Sequence, residues 1–166
     1  MAYYVWLAVN SLLLISSLLV IWVFRPHDST TVLAGKWFAQ FAILVFFINV
    51  NMYFIFLVIR KSKVRSVKVT LSKLARSMMK AHIPFALAGT SMILFHGAIM
   101  AWKLGATIGF IHPKIVTGYG SVCLLTITLL AGFLRHRKAS RFRRKFHLIS
   151  AMLFACLFLI HLFWPI

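Results

Sequence analysis

Five apolar runs, each long enough to cross a lipid bilayer, constrain this chain more than any other feature. They are Tyr4–Phe24, Trp37–Ile59, Ala81–Leu104, Thr117–Leu134 and Phe146–Trp164. A spanning helix needs about 20 mostly apolar residues. Inside hydrocarbon every backbone N–H and C=O must be paired within the protein, which leaves only helices and closed barrels. Continuous runs without strand-like alternation select the helix. The expected fold is all-α, a polytopic membrane helix bundle with five transmembrane helices in a single domain, residues 1–166. Composition excludes the soluble alternative. Of 166 residues 62% are apolar, against roughly 45–50% in soluble domains, and a water-soluble core cannot hide that much. The first run is expected to be a true span and not a signal peptide: no Lys or Arg precedes it, it is too long, and no small-residue cleavage pattern follows. The fourth run carries Gly118, Gly120 and Gly132, which suits close helix packing.

Charge sets the expected orientation. One acid, Asp28, faces 19 Lys and Arg. The excess invites a nucleic-acid reading, but the basic residues are gathered between apolar runs, as membrane topology requires. Arg60–Lys80 holds eight and Arg135–Lys145 seven, while the other connections hold only Arg25, Lys36, Lys103 and Lys114. By the positive-inside rule the two basic connections face the cytoplasm. The N-terminus is then inside, the C-terminus outside, and the expected location is the cytoplasmic membrane. Within residues 60–80, Val64, Val67, Leu71, Leu74 and Met78 recur at helical spacing, with Lys61, Arg65, Lys68, Lys73, Arg76 and Lys80 largely opposite. That pattern predicts an amphipathic helix lying at the inner surface. Its expected partners are anionic lipid headgroups, at about 1 kcal/mol per basic residue near the surface, or an acidic cytosolic protein.

Four histidines interrupt the spans. His82 and His96 are fourteen residues apart in the third, and His147 and His161 are fourteen apart in the fifth. Fourteen residues are about 3.9 helical turns and a rise of about 21 Å, so each pair lies nearly on one face. Both spans run in the same direction, which puts His82 level with His147 and His96 level with His161. Ionisable groups inside spans are rare and usually functional. Two stacked pairs of imidazoles are what two bis-histidine haems need, since a flat apolar macrocycle fits between helices and takes one axial ligand from each. The expected cofactors are two haem b groups, with iron bound by His82 and His147 and by His96 and His161. Gly97 beside His96, Gly89 midway along the third span and Phe154 midway along the fifth are further candidates for contact with the discs; ordinary helix packing explains Gly89, Gly97 and Phe154 equally well. Hydrogen-bonded core histidines and a haem-free metal transporter are the rival readings. The transporter is disfavoured because no span holds a carboxylate and about 21 Å is too long for one metal site.

The remaining residues give less. His27, His112 and His136 read as loop residues, with contact of His27 or His112 with a quinone or outer acceptor as the alternative. Cys123 and Cys156 lie in apolar runs without metal-site spacing and read as buried free thiols. With a single acid, carboxylate acid–base catalysis is nearly excluded, and no catalytic residue is assigned.

On His82, His96, His147 and His161, in this spacing and order, the chain resembles the ferric reductase-like transmembrane domain of ferric reductases and NADPH oxidases. The likeness covers about Trp37–Trp164. It implies histidine-ligated haems on the third and fifth helices and electron flow from a cytosolic flavin or a quinol to an outer acceptor. Many members continue into a flavin- and nucleotide-binding domain, and this chain stops after the fifth span. The implied donor is therefore a separate flavoprotein or iron–sulfur protein, or a quinone. A weaker resemblance is to respiratory cytochrome b. The expected function is that of a di-haem membrane cytochrome, the electron-transfer component of an oxidoreductase. The alternatives are a haem-bearing anchor subunit of a larger complex and a haem-free transporter.

Overall fold

The computed structural model of the chain describes residues 2–25 and 29–165, so His27 and Asp28 lie outside the described residues. It is all-helical: α1 (Ala2–Leu18), continued by a π-turn at Leu19–Val23, then α2 (Thr30–Lys61), α3 (Arg65–Ile108), α4 (Pro113–Arg137) and α5 (Arg141–Phe163). Five helices are long and apolar enough to cross a membrane. Their surfaces are compatible with a lipid solvent. Leu12, Leu87, Phe95, Trp102 and Leu130 are each more than half exposed, an arrangement that water penalises and hydrocarbon does not.

Two helices, α2 and α3, exceed their apolar runs the most. The second extends beyond Trp37–Ile59 at its start. The third begins at Arg65, sixteen residues before the apolar run at Ala81. The basic segment is thus the opening part of a 44-residue helix, where a separate element was expected. Hydropathy marks where a helix meets lipid, whereas Lys, Arg, Leu and Met are good helix formers in water too and carry the backbone ladder past that boundary. Pro84 sits inside α3, where its missing N–H leaves the carbonyl four residues earlier without its ladder partner.

By internal contact the chain divides into two compact units: Met1–Pro26 with Trp37–Met92, and His27–Lys36 with Ile93–Ile166. In the first unit polar side chains join α1 to α2. Trp6 Nε1 donates to Asn51 Oδ1 at 2.8 Å, and Asn51 Nδ2 donates to Asn10 Oδ1 at 2.6 Å. Such bonds hold spans together where lipid supplies no hydrophobic drive for association. Trp22 and Trp37 meet edge to face at 4.6 Å. Against α3, Asn49 Nδ2 donates to the carbonyl of His82 at 3.3 Å. A Cβ on Gly89 would come within 3.3 Å of Val45 and 3.4 Å of Phe46.

The second unit is built on the α4–α5 hairpin, joined by Lys138, Ala139 and Ser140. Ser140 caps α5, its hydroxyl accepting from the backbone N–H of Arg143 at 3.1 Å. The Arg143 guanidinium donates to the carbonyls of Leu134 at 2.9 Å and Lys138 at 3.3 Å at the end of α4, the first of which also accepts from the backbone N–H of Lys138 at 3.2 Å. Pro113 opens α4, with His112 as its cap. Cys123 and Cys156 are free, as expected, but exposed and not buried. Each sits on an outward helix face, where a thiol behaves as a small apolar side chain.

Candidate functional site

His82 belongs to the first unit; His96, His147 and His161 belong to the second. All four are half-buried. In the second unit each ring lies against a backbone carbonyl of another helix. His96 Nδ1 lies 2.9 Å from the Gly35 oxygen of α2. His147 Nδ1 lies 3.1 Å from the Thr128 oxygen of α4, and His161 Nδ1 lies 2.9 Å from the Lys114 oxygen of α4. A carbonyl oxygen only accepts, so each Nδ1 must donate. In a neutral imidazole that places the proton on Nδ1 and the lone pair on Nε2.

The helix surface that receives these rings has a simple chemical basis. A carbonyl inside a helix already accepts from the N–H four residues on, and its second lone pair is normally covered by that residue's side chain, which leans back toward the N-terminus. Four residues after Lys114 is Gly118, and four after Thr128 is Gly132. Neither carbonyl is therefore covered by a side chain four residues on, although the Thr117 hydroxyl also reaches that of Lys114. A Cβ on Gly118 would stand 3.0 Å from His161 Cε1, and one on Gly132 would stand 3.2 Å from His147 Cε1. The third acceptor, Gly35, is followed at the same spacing by Ala39. A Cβ on Gly35 itself would meet Met100 at 2.7 Å, so that glycine is what admits α3 so close.

Seats and rings share one period. The two histidines of α5 are fourteen residues apart, as are the two acceptors of α4 and its two glycines. Antiparallel neighbours with equal rise per residue keep step over this distance, so one arrangement occurs twice. Sequence reasoning singled out the histidines, read Gly118 and Gly132 only as close-packing residues, and missed Gly35, Lys114, Thr117 and Thr128 as their neighbours. The repeated fourteen in the fourth run was the available signal. Thr117 Oγ1 lies 3.3 Å from His161 Nδ1 and donates to the Lys114 carbonyl at 3.0 Å.

Other candidates divide. Gly89 is buried with its open side against α2, which is a helix contact. A Cβ on Gly97 would meet no atom within 4 Å. Phe154 is buried and stacks on Phe158 at 5.9 Å. His112 caps α4, its Nδ1 accepting from the Lys114 N–H at 3.2 Å. His136 is exposed at the end of α4. Among the described residues no group of three or more His, Cys, Asp or Glu comes together; a bis-histidine centre asks for two.

No protein-family model matches the chain, and neither does any curated protein or solved structure. The functional reading therefore stands on the residues alone.

Proposed function

We propose that this chain is a di-haem b-type cytochrome of the cytoplasmic membrane, carrying electrons between a cytosolic or quinol donor and an outer acceptor. The observation that carries the reading is that Nδ1 of His96, His147 and His161 each lies against a backbone carbonyl, which leaves Nε2 as the ligating nitrogen. A metal-binding histidine ordinarily gives its other ring N–H to a carbonyl or carboxylate, which fixes the ring and enriches the ligating nitrogen. These three are held that way. The residues present thus fit a bis-histidine haem. His82 and His147 would hold the inner group, and His96 and His161 the outer one. Bound haem iron supplies a one-electron couple whose potential the axial ligands help to set.

The protein's own work is placement. The carbonyls of Gly35, Lys114 and Thr128 aim the imidazoles, and Gly118 and Gly132 make room for two of the rings. Gly97 leaves the backbone beside His96 open to a flat group, and Phe154 fills the α5 face midway between its two histidines. The basic connections face the cytoplasm, where they favour an acidic donor such as a flavoprotein or iron–sulfur protein. The chain works as an electron-transfer component and relies on a partner or quinone for its electrons.

The test is a reduced-minus-oxidised visible spectrum of protein expressed with ample haem, with haem measured per chain. Two b haems are expected. Alanine at His82 or His147 should remove one of them, and alanine at His96 or His161 the other. A colourless protein would sink the proposal and favour the transporter. Retention of both haems in every single variant would show the pairing to be wrong.

A further inference from the structure

The basic opening of α3 folds back along the end of α2, and the two helices leave a groove of about 200 Å³ between them. It is lined by Phe56 and Ile59 of α2 and by Ser72, Ala75, Arg76 and Met79 of α3. All six belong to the first compact unit. The four α3 residues follow one another at steps of three, one and three, the spacing of a single helix face. Ala75 is buried, while Arg76 and Met79 are exposed.

The groove joins two depths. Phe56 and Ile59 lie within the apolar run of α2, and Arg60 and Lys61 follow that run directly. On α3 the order is reversed: Arg76 precedes the apolar run at Ala81 by five residues, a rise of at most about 7.5 Å. The polar layer on each side of a bilayer is about 5–7 Å deep. The apolar wall therefore stands at the level of the hydrocarbon and the guanidinium at the level of the headgroups. Charge narrows the choice of occupant. Residues 60–80 hold eight cations, and the single acidic side chain in the sequence, Asp28, cannot balance eight wherever it lies. A soluble acidic protein could meet the cations, but it could not reach Phe56 and Ile59 inside the apolar run. An anionic phospholipid meets both. Its phosphate suits the forked donors of an arginine, with the Ser72 hydroxyl as a further donor.

We propose that this groove binds one anionic phospholipid of the cytoplasmic leaflet, its phosphate on Arg76 and part of one acyl chain against Phe56, Ile59 and Met79. The site rests on reading the five helices as spans with residues 60–80 inside, and it is independent of the haem reading. It leaves the Arg135–Lys145 stretch as the basic face for a soluble electron donor.

The experiment is native mass spectrometry of the detergent-solubilised full chain, titrated with phosphatidylglycerol or phosphatidylcholine, for the wild type, Arg76→Gln, Ser72→Leu and Lys63→Gln. Ser72→Leu fills the groove and keeps every charge. Lys63→Gln removes an exposed cation that does not line it. The wild type should retain one phosphatidylglycerol in preference to phosphatidylcholine. Arg76→Gln should weaken that retention roughly five-fold, the factor expected for one cation near a headgroup. Ser72→Leu should weaken it as well, and Lys63→Gln should match the wild type. Equal retention of the two lipids would overturn the proposal. So would equal losses in Lys63→Gln and Arg76→Gln, which would mean diffuse attraction without a site, or an unchanged Ser72→Leu. If Arg76→Gln fails to fold, Ser72→Leu against Lys63→Gln decides. A poly-glutamate peptide tests the rival occupant: if the groove variants weaken its binding and leave phosphatidylglycerol untouched, the face belongs to an acidic protein and the proposal falls. A chain that binds no haem yet retains phosphatidylglycerol in the expected pattern would defeat the cytochrome reading and leave this site standing.

Discussion

Glycine at positions 118 and 132 costs helix stability, roughly 0.8–1 kcal/mol per residue relative to alanine in a water-exposed helix interior, and the return is access to a carbonyl. Restoring a side chain should therefore act on one ring at a time. Gly118→Ala puts a methyl 3.0 Å from the His161 ring and Gly132→Ala puts one 3.2 Å from His147, so each ring must retreat by a few tenths of an ångström. The expected outcome is a shifted or lost outer haem band in Gly118→Ala and a shifted or lost inner band in Gly132→Ala, with helicity unchanged by circular dichroism. Equal effects on both bands from either variant would contradict the seat geometry. Gln40 on α2 presents a different case. It is 4% exposed, and neither amide atom has a partner among the described residues. A buried amide without partners costs about 1–3 kcal/mol, so Gln40→Leu should raise the thermal midpoint of the detergent-solubilised protein. A fall would mean that the amide holds something the apolar side chain cannot.

At the scale of helices, the fourteen-residue step ties α4 to α5. One alanine inserted between Leu124 and Leu125 turns everything beyond it by about 100° and removes one seat from its histidine while sparing the other. Such a protein should bind one haem fewer than wild type; two haems with unchanged spectra would show that the carbonyl seats are incidental. The histidines themselves were legible in the sequence because a polar ring in an apolar run stands out. Their acceptors were not, since a carbonyl belongs to every residue and only the glycine four places on reveals which one is uncovered. Helix ends were misplaced for a related reason. Apolar runs report the lipid boundary, and α3 continues sixteen residues past it on helix-forming Lys, Arg and Leu. The π-turn at Leu19–Val23 left no trace in residue type, because a widened turn is a matter of backbone register.

For the whole molecule, the number of helices long and apolar enough to cross a membrane was legible from length and hydropathy alone, and the division into two compact units was not, because it depends on which helices touch. Orientation remains a charge argument with a direct check. A membrane-impermeant amine reagent should label Lys63, Lys68, Lys138 and Lys145 in inside-out vesicles and only Lys103 or other outer-side amines in sealed right-side-out ones; the reverse pattern would invert the proposed direction of electron flow. The placement of His147 and His161 together on α5, downstream of every other ligand and acceptor, carries a consequence for biosynthesis. On the proposed pairing, no iron site has both of its axial ligands until the fifth helix has been threaded into the bilayer. The nascent chain therefore has no bis-histidine site to fill while α1–α4 are emerging, and pigment acquisition becomes a timestamp for finished insertion.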